Sequence, residues 1–142
     1  MKKTVYLQLL LFTIVLLSGC SKPLTPGETI KRHVEWLNTG EYEKYIDKAY
    51  FYTSERGTEE YKEEKKHFSD NFDKFSRGFY DTHRSRGTTM IVDIISEDIE
   101  GETDEEKEAN VKYKITFSSN GQSFETKAKL YLQNGEWRIK QY

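Results

Sequence analysis

The apolar residues of this chain recur at helical spacing up to Gly87 and alternate after it, and that change of period sets what the chain can fold into. Thr25-Pro26-Gly27-Glu28 has the form of a helix start, with a capping threonine, a proline at the first helical position and a glutamate three residues after the cap. Ile30, Val34 and Leu37 follow at helical spacing, flanked by His33 and Trp36, and Gly40 ends the run. A second, short helix is predicted with Tyr42, Tyr45, Ile46 and Ala49 on one side, and "YFYTSERG" reads as a loop. Thr58 then opens a long polar helix with Glu59 and Glu60 where the helix dipole favours acids. Its apolar stripe is Tyr61, Phe68, Phe72, Phe75 and Phe79, and it ends near Gly87.

Beyond Gly87 the pattern is that of half-buried strands. Met90, Val92 and Ile94 alternate with polar or outward residues, and Val111, Tyr113, Ile115 and Phe117 alternate with Lys112, Lys114 and Thr116. Asn120-Gly121 fits a tight hairpin, after which Phe124, Thr126, Ala128, Leu130 and Leu132 form the next inward row. Asn134-Gly135 fits a second tight turn, and Trp137, Ile139 and Gln141 make the last strand. The expectation is an α+β domain: three N-terminal helices packed on a four-stranded antiparallel sheet, one face of which the helices cover.

The chain has one cysteine, Cys20, so no disulfide can hold the domain and its stability comes from packing. That cysteine sits behind a special segment. Met1-Lys2-Lys3 is basic, Thr4 to Leu17 is apolar apart from Thr4, Gln8 and Thr13, and small residues Ser18 and Gly19 come next. The apolar run is shorter than the about 20 residues a membrane-spanning helix needs and suits the core of a secretory signal peptide. "LSGC" resembles the lipobox of bacterial lipoproteins. The resemblance implies cleavage after Gly19 and a lipid, diacylglycerol with fatty acids such as palmitate, on the Cys20 thiol. Two or more acyl chains give stable membrane anchoring where one gives only marginal binding.

On this reading residues 1–19 are the signal peptide, 20–25 the lipidated N-terminus and a short tether, and 26–142 one α+β domain. Removing 19 residues from 142 leaves 123, the size of a single domain. Without Lys2 and Lys3 the 22 basic residues become 20 against 24 acidic, a formal charge of −4, which gives no overall attraction for nucleic acid or anionic lipid. Residues 21–25 reach at most roughly 17 Å, so the domain is expected close to the bilayer, held there by the lipid on Cys20. In a Gram-negative cell Ser21, standing where an inner-membrane-retaining aspartate is absent, leans toward the outer membrane.

"TPGETIKRHVEWLNTGEYEKYIDKAY" resembles the helical opening of a family of small bacterial lipoproteins, and "KLYLQNGEWRIKQY" resembles that family's ending, a strand, an Asn-Gly turn and a tryptophan-bearing strand. The family is the domain of unknown function 4878, among proteins of the nuclear-transport-factor-2-like (cystatin-like) fold. The resemblance implies a curved sheet with helices on one side and a location in the cell envelope, and it implies no activity.

Enzymes built on that fold place a carboxylate or histidine in the cone between sheet and helices. Here the inward rows carry one titratable group, Tyr113; Asp93 falls out of phase with Met90, Val92 and Ile94; and His33 is the one candidate beside the apolar helix face. No nucleophile elbow or glycine-rich phosphate loop occurs, so a non-catalytic role is expected. His33, His67 and His83 lack metal-ligand spacing, and "EDIEGETDEE" has Thr103 and Ala109 where a calcium loop needs glycine and glutamate, so no metal or other cofactor is expected.

A binding or interaction module is expected, with a small-ligand carrier using the cone between helices and sheet as the alternative and a hydrolase- or isomerase-type enzyme of the same fold as the weaker one. Thr126 and Ala128 are small and leave volume on the inner face of the sheet. Either Trp36, Tyr45 and Trp137 fill it, which the aromatic content favours, or a pocket remains in which Tyr45 and Tyr113 offer rings and hydroxyls. The outer face, with Lys112, Lys114, Lys127, Lys129, Tyr131 and Arg138, reads as a solvated surface, and a monomer or weak dimer is expected.

Overall fold

The computed structural model describes residues 22–52 and 56–141. Cys20 and the apolar run before it, which carry the lipid-anchor expectation, lie outside the described residues. Among those described, no helix is long and apolar enough to cross a membrane.

The chain forms α1 (Pro26–Thr39), α2 (Tyr42–Asp47), β1 (Ala49–Tyr50), α3 (Glu59–Phe75), α4 (Arg77–Ser85), β2 (Met90–Glu100), β3 (Glu108–Phe117), β4 (Ser123–Gln133) and β5 (Glu136–Lys140). The α+β class is as expected, but the sheet has five strands in the order β1-β5-β4-β3-β2 and is mixed. β2 to β5 form the antiparallel meander; β1 adds a two-residue parallel edge, pairing Ala49 with Ile139 and Tyr50 with Lys140. The four-stranded antiparallel expectation therefore missed one strand. "YFYTSERG" has no alternation to reveal it, and β1 exists because β5 offers it a partner.

The helix count also differs. The predicted third helix breaks at Ser76, whose φ of −122° and ψ of −39° leave helical geometry, giving α3 and α4. The break changes which rings reach the core. Tyr61 and Phe72 are buried, but Phe75 and Phe79 are 70% and 49% exposed. Tyr80 takes the inward position instead, stacking on Phe72 with centroids 6.0 Å apart and planes 9° from parallel.

The start of α1 is as its sequence predicts. Glu28 N donates to Thr25 Oγ1 at 3.2 Å and Thr25 N donates to Glu28 Oε2 at 2.8 Å, a reciprocal capping box. Gly40 ends the helix at φ 79°, a conformation open to glycine. Between these ends α1 buries Ile30 against Ala109, Val111, Ala128 and Leu130 of β3 and β4. Gly27 lets its first turn approach β2: a Cβ there would meet the Glu97 carboxylate and stand 3.1 Å from Ile94 Cγ1. At the far end Asn38 pairs with the backbone of Met90, donating to its carbonyl and accepting from its N–H, both at 2.9 Å. A second cluster of Leu37, Tyr42, Ile46 and Phe72 joins α1, α2 and α3.

One of the two expected tight turns forms; between β3 and β4 the residues 118–122 make a longer loop in which Gly121, and not Asn120, has positive φ, 69°. Asn134 and Gly135 both have positive φ, 53° and 76°, as a two-residue type I′ hairpin requires. β2 shifts register between Ile94 and Ser96, so the alternation that places Val92 and Ile94 inward does not continue unbroken to Glu100. Asp93 is exposed and pairs with Lys114 at 3.7 Å.

Arg138 corrects the expected outer face. It alternates outward from Trp137 and Ile139, yet it is 2% exposed, because the α2–β1 segment lies across it. Its Nη1 donates to the carbonyls of Asp47 at 3.1 Å and Ala49 at 3.3 Å, and its Nη2 to Glu136 at 3.2 Å. The guanidinium thus ties the end of α2 and the extra strand to β5. Arg138→Met should lower stability by about 3 kcal/mol in urea unfolding, since it strands buried carbonyls while keeping the aliphatic stem. A loss below about 1 kcal/mol would show that the α2–β1 segment is held by other means.

Candidate functional site

Helix α1 has a second face. Thr29, Arg32, His33 and Trp36, three or four residues apart, line one side of a cavity of about 430 Å³. Gly135, Glu136 and Trp137, brought up by the tight β4–β5 turn, line another. Lys48, just past α2, and Lys22, Pro23 and Leu24, leading into α1, complete it. The volume falls within the range of about 300–1,000 Å³ usual for small-molecule sites.

His33 is the most buried side chain of this lining, at 2% exposure. Its ring lies 5.1 Å from that of Trp36 and meets Tyr45 edge-on at 5.4 Å. Its Nδ1 has no hydrogen-bond partner. Burial first, then the positive charges of Arg138 and Lys48, push its pKa from 6.5 down to about 4, so the imidazole is neutral at neutral pH. Around it the lining carries three cations, Lys22, Arg32 and Lys48, against one carboxylate, Glu136. Lys48 binds both oxygens of Glu136, at 2.9 and 2.8 Å, and this contact holds the Glu136 carboxyl below its usual pKa. Arg32 pairs with Glu35 at 3.0 Å on the exposed flank of α1.

The six residues singled out from the sequence separate into two places. Trp36 and Trp137 line the cavity. Tyr45 sits with His33, Phe68 and Phe72, its hydroxyl donating to Gln141 Oε1 at 3.3 Å, and burial raises its pKa. Ala128 is packed in the core cluster with Ile30, and Tyr113 and Trp137 lie against that cluster. Thr126 pairs with Tyr113 across β4 and β3. Ala128 thus packs with Ile30 of α1, and Trp137, one of the three rings considered for the space beside it, lies against the same cluster.

Thr29, Arg32, Lys48, Glu136 and the residues 22–24 were not legible as site residues. Lone polar residues in a turn, a tether and a helix flank carry no spacing signal, and only folding brings them together. Among the described residues no group of three or more His, Cys, Asp or Glu stands close enough to hold a metal ion. No protein-family model matches the chain, and no curated protein matches it closely enough to be a relative.

Because folding lowers the His33 pKa, the folded state binds fewer protons than the unfolded chain between about pH 6.5 and pH 4. The stability that neutral His33 contributes is complete above pH 6.5 and is lost as pH falls toward 4. Urea midpoints should report a loss of roughly 2 kcal/mol between pH 7 and pH 5, and His33→Gln should remove most of that slope. An unchanged slope in the variant would place the titration elsewhere.

Proposed function

We propose that this chain is a lipid-anchored binding domain of the bacterial cell envelope, without catalytic activity, of the nuclear-transport-factor-2-like (cystatin-like) arrangement seen in the domain of unknown function 4878 family. The observation that carries the binding role is the cavity on the outer flank of α1, walled by both tryptophans of the chain and by a buried histidine with an unpartnered nitrogen. Binding is favoured over catalysis because a general base works best with a pKa near the working pH, whereas His33 is held near 4 with no carboxylate partner.

The anchor reading rests on the "LSGC" segment and on the short stretch between Cys20 and the fold. Lys22, the first described residue and a cavity-lining one, is two positions after Cys20, so roughly 7 Å of chain separates the cavity from the proposed lipid. An anchored domain of this kind would present the cavity at the membrane surface. It needs no spanning helix and no basic face, in line with its formal charge.

Growth with a radioactive fatty acid tests the anchor. The wild-type chain should be labelled and sediment with membranes, and Cys20→Ala should lose the label entirely and leave the membrane fraction or accumulate uncut. Label persisting in Cys20→Ala would contradict the anchor.

A further inference from the structure

We infer that the cavity between α1 and the β4–β5 turn binds a small amphipathic anion, its apolar body against Trp36 and Trp137 and its charged group among Lys22, Arg32 and Lys48 beside His33. This deepens the binding role proposed above and rests on it, but not on the lipid anchor.

Four observations converge on that ligand class. The cavity is built from four separate pieces of chain, so its shape is a product of the fold. Its two large apolar walls are indoles carried by different elements, Trp36 by α1 and Trp137 by β5, and a ligand body fits between such walls. Cations outnumber carboxylates three to one in the lining. Besides burial, which acts most strongly, the charges of Arg138 behind the site and of Lys48 in the lining disfavour a positive charge on His33, and that part of the potential favours an anionic ligand over a cationic one.

His33 forms part of the wall as a buried ring that stays neutral. Its Nδ1 has no hydrogen-bond partner, and the side chain is only 2% exposed. The ring stays neutral, so the charge of the bound anion is balanced by the lysines and Arg32. Glu136, held by Lys48 and Arg138, is turned to these cations and keeps the site from being purely basic, which favours a monoanion over a polyanion.

The anion could be a free carboxylate or the charged end of a membrane-derived molecule, since both present the same oxygen to the same cations. Both tryptophans of the chain line the cavity, so intrinsic fluorescence reads the site directly. The full chain, purified and held in phosphatidylcholine vesicles, is titrated with octanoate, octylammonium and octanol, which share a tail and differ in charge. Octanoate should change the emission saturably, with octylammonium at least about tenfold weaker and octanol in between. Arg32→Gln, a substitution on the exposed flank of α1, should raise the octanoate half-saturation about tenfold while lowering the urea midpoint by no more than the loss of the exposed Arg32–Glu35 pair accounts for. Octyl phosphate binding as octanoate does assigns the shared oxyanion chemistry; octyl phosphate failing while octanoate binds assigns the carboxylate. Equal binding of all three tails, or stronger binding of octylammonium, overturns the anion, and no saturable change with any of them overturns the site. Each of these outcomes is independent of whether Cys20 carries lipid.

Discussion

The burial of Ile30 is the constraint on which this structure depends. A side chain 1% exposed, from the second turn of α1, is seated over Ala109, Val111, Ala128 and Leu130. Burying one such side chain stabilises by roughly 2 kcal/mol, and it is the two alanines that let the helix come close enough to do it. With Ile30 committed to the sheet, Leu37 to the second core cluster and Val34 buried between them in sequence, the helical period turns Thr29, Arg32, His33 and Trp36 to another side. One helix therefore closes the inner face of the sheet and opens the cavity on its flank. The capping box at its start and Asn38 clasping Met90 at its end fix the height and rotation at which both happen.

The cavity's electrostatics arise from the same packing. Arg138 is drawn under the α2–β1 segment to satisfy carbonyls that would otherwise be stranded, and Glu136 is drawn to Arg138 and Lys48. These groups serve the fold, yet the positive charges of Arg138 and Lys48 add to the burial that keeps His33 neutral. A structural device, the arginine that binds an edge strand, thereby contributes to the chemical character of the neighbouring site.

Much of the local structure was legible because single residues carry it. Thr25, Pro26 and Glu28 announce the first helix, and Asn134-Gly135 announces the type I′ turn; each depends on nearest neighbours alone. What was hidden depends on distant partners. β1 is two residues long and exists through β5, the helix break at Ser76 is tied to which ring, Tyr80 or Phe79, reaches Phe72, and Arg138 is covered by chain that lies 89 to 91 positions away in sequence. The site divides the same way. Trp36 and Trp137 stood out as large rings near the inner rows, while Lys22, Arg32 and Lys48 look like ordinary surface cations until the fold gathers them.

The central claim is that both indoles stand in one cation-lined hollow, and comparative quenching of their fluorescence by iodide and caesium addresses it most directly. Iodide should quench markedly more strongly than caesium at low ionic strength, with the difference shrinking as salt screens the cations. Caesium quenching as strong as iodide, or a preference indifferent to salt, would contradict the account.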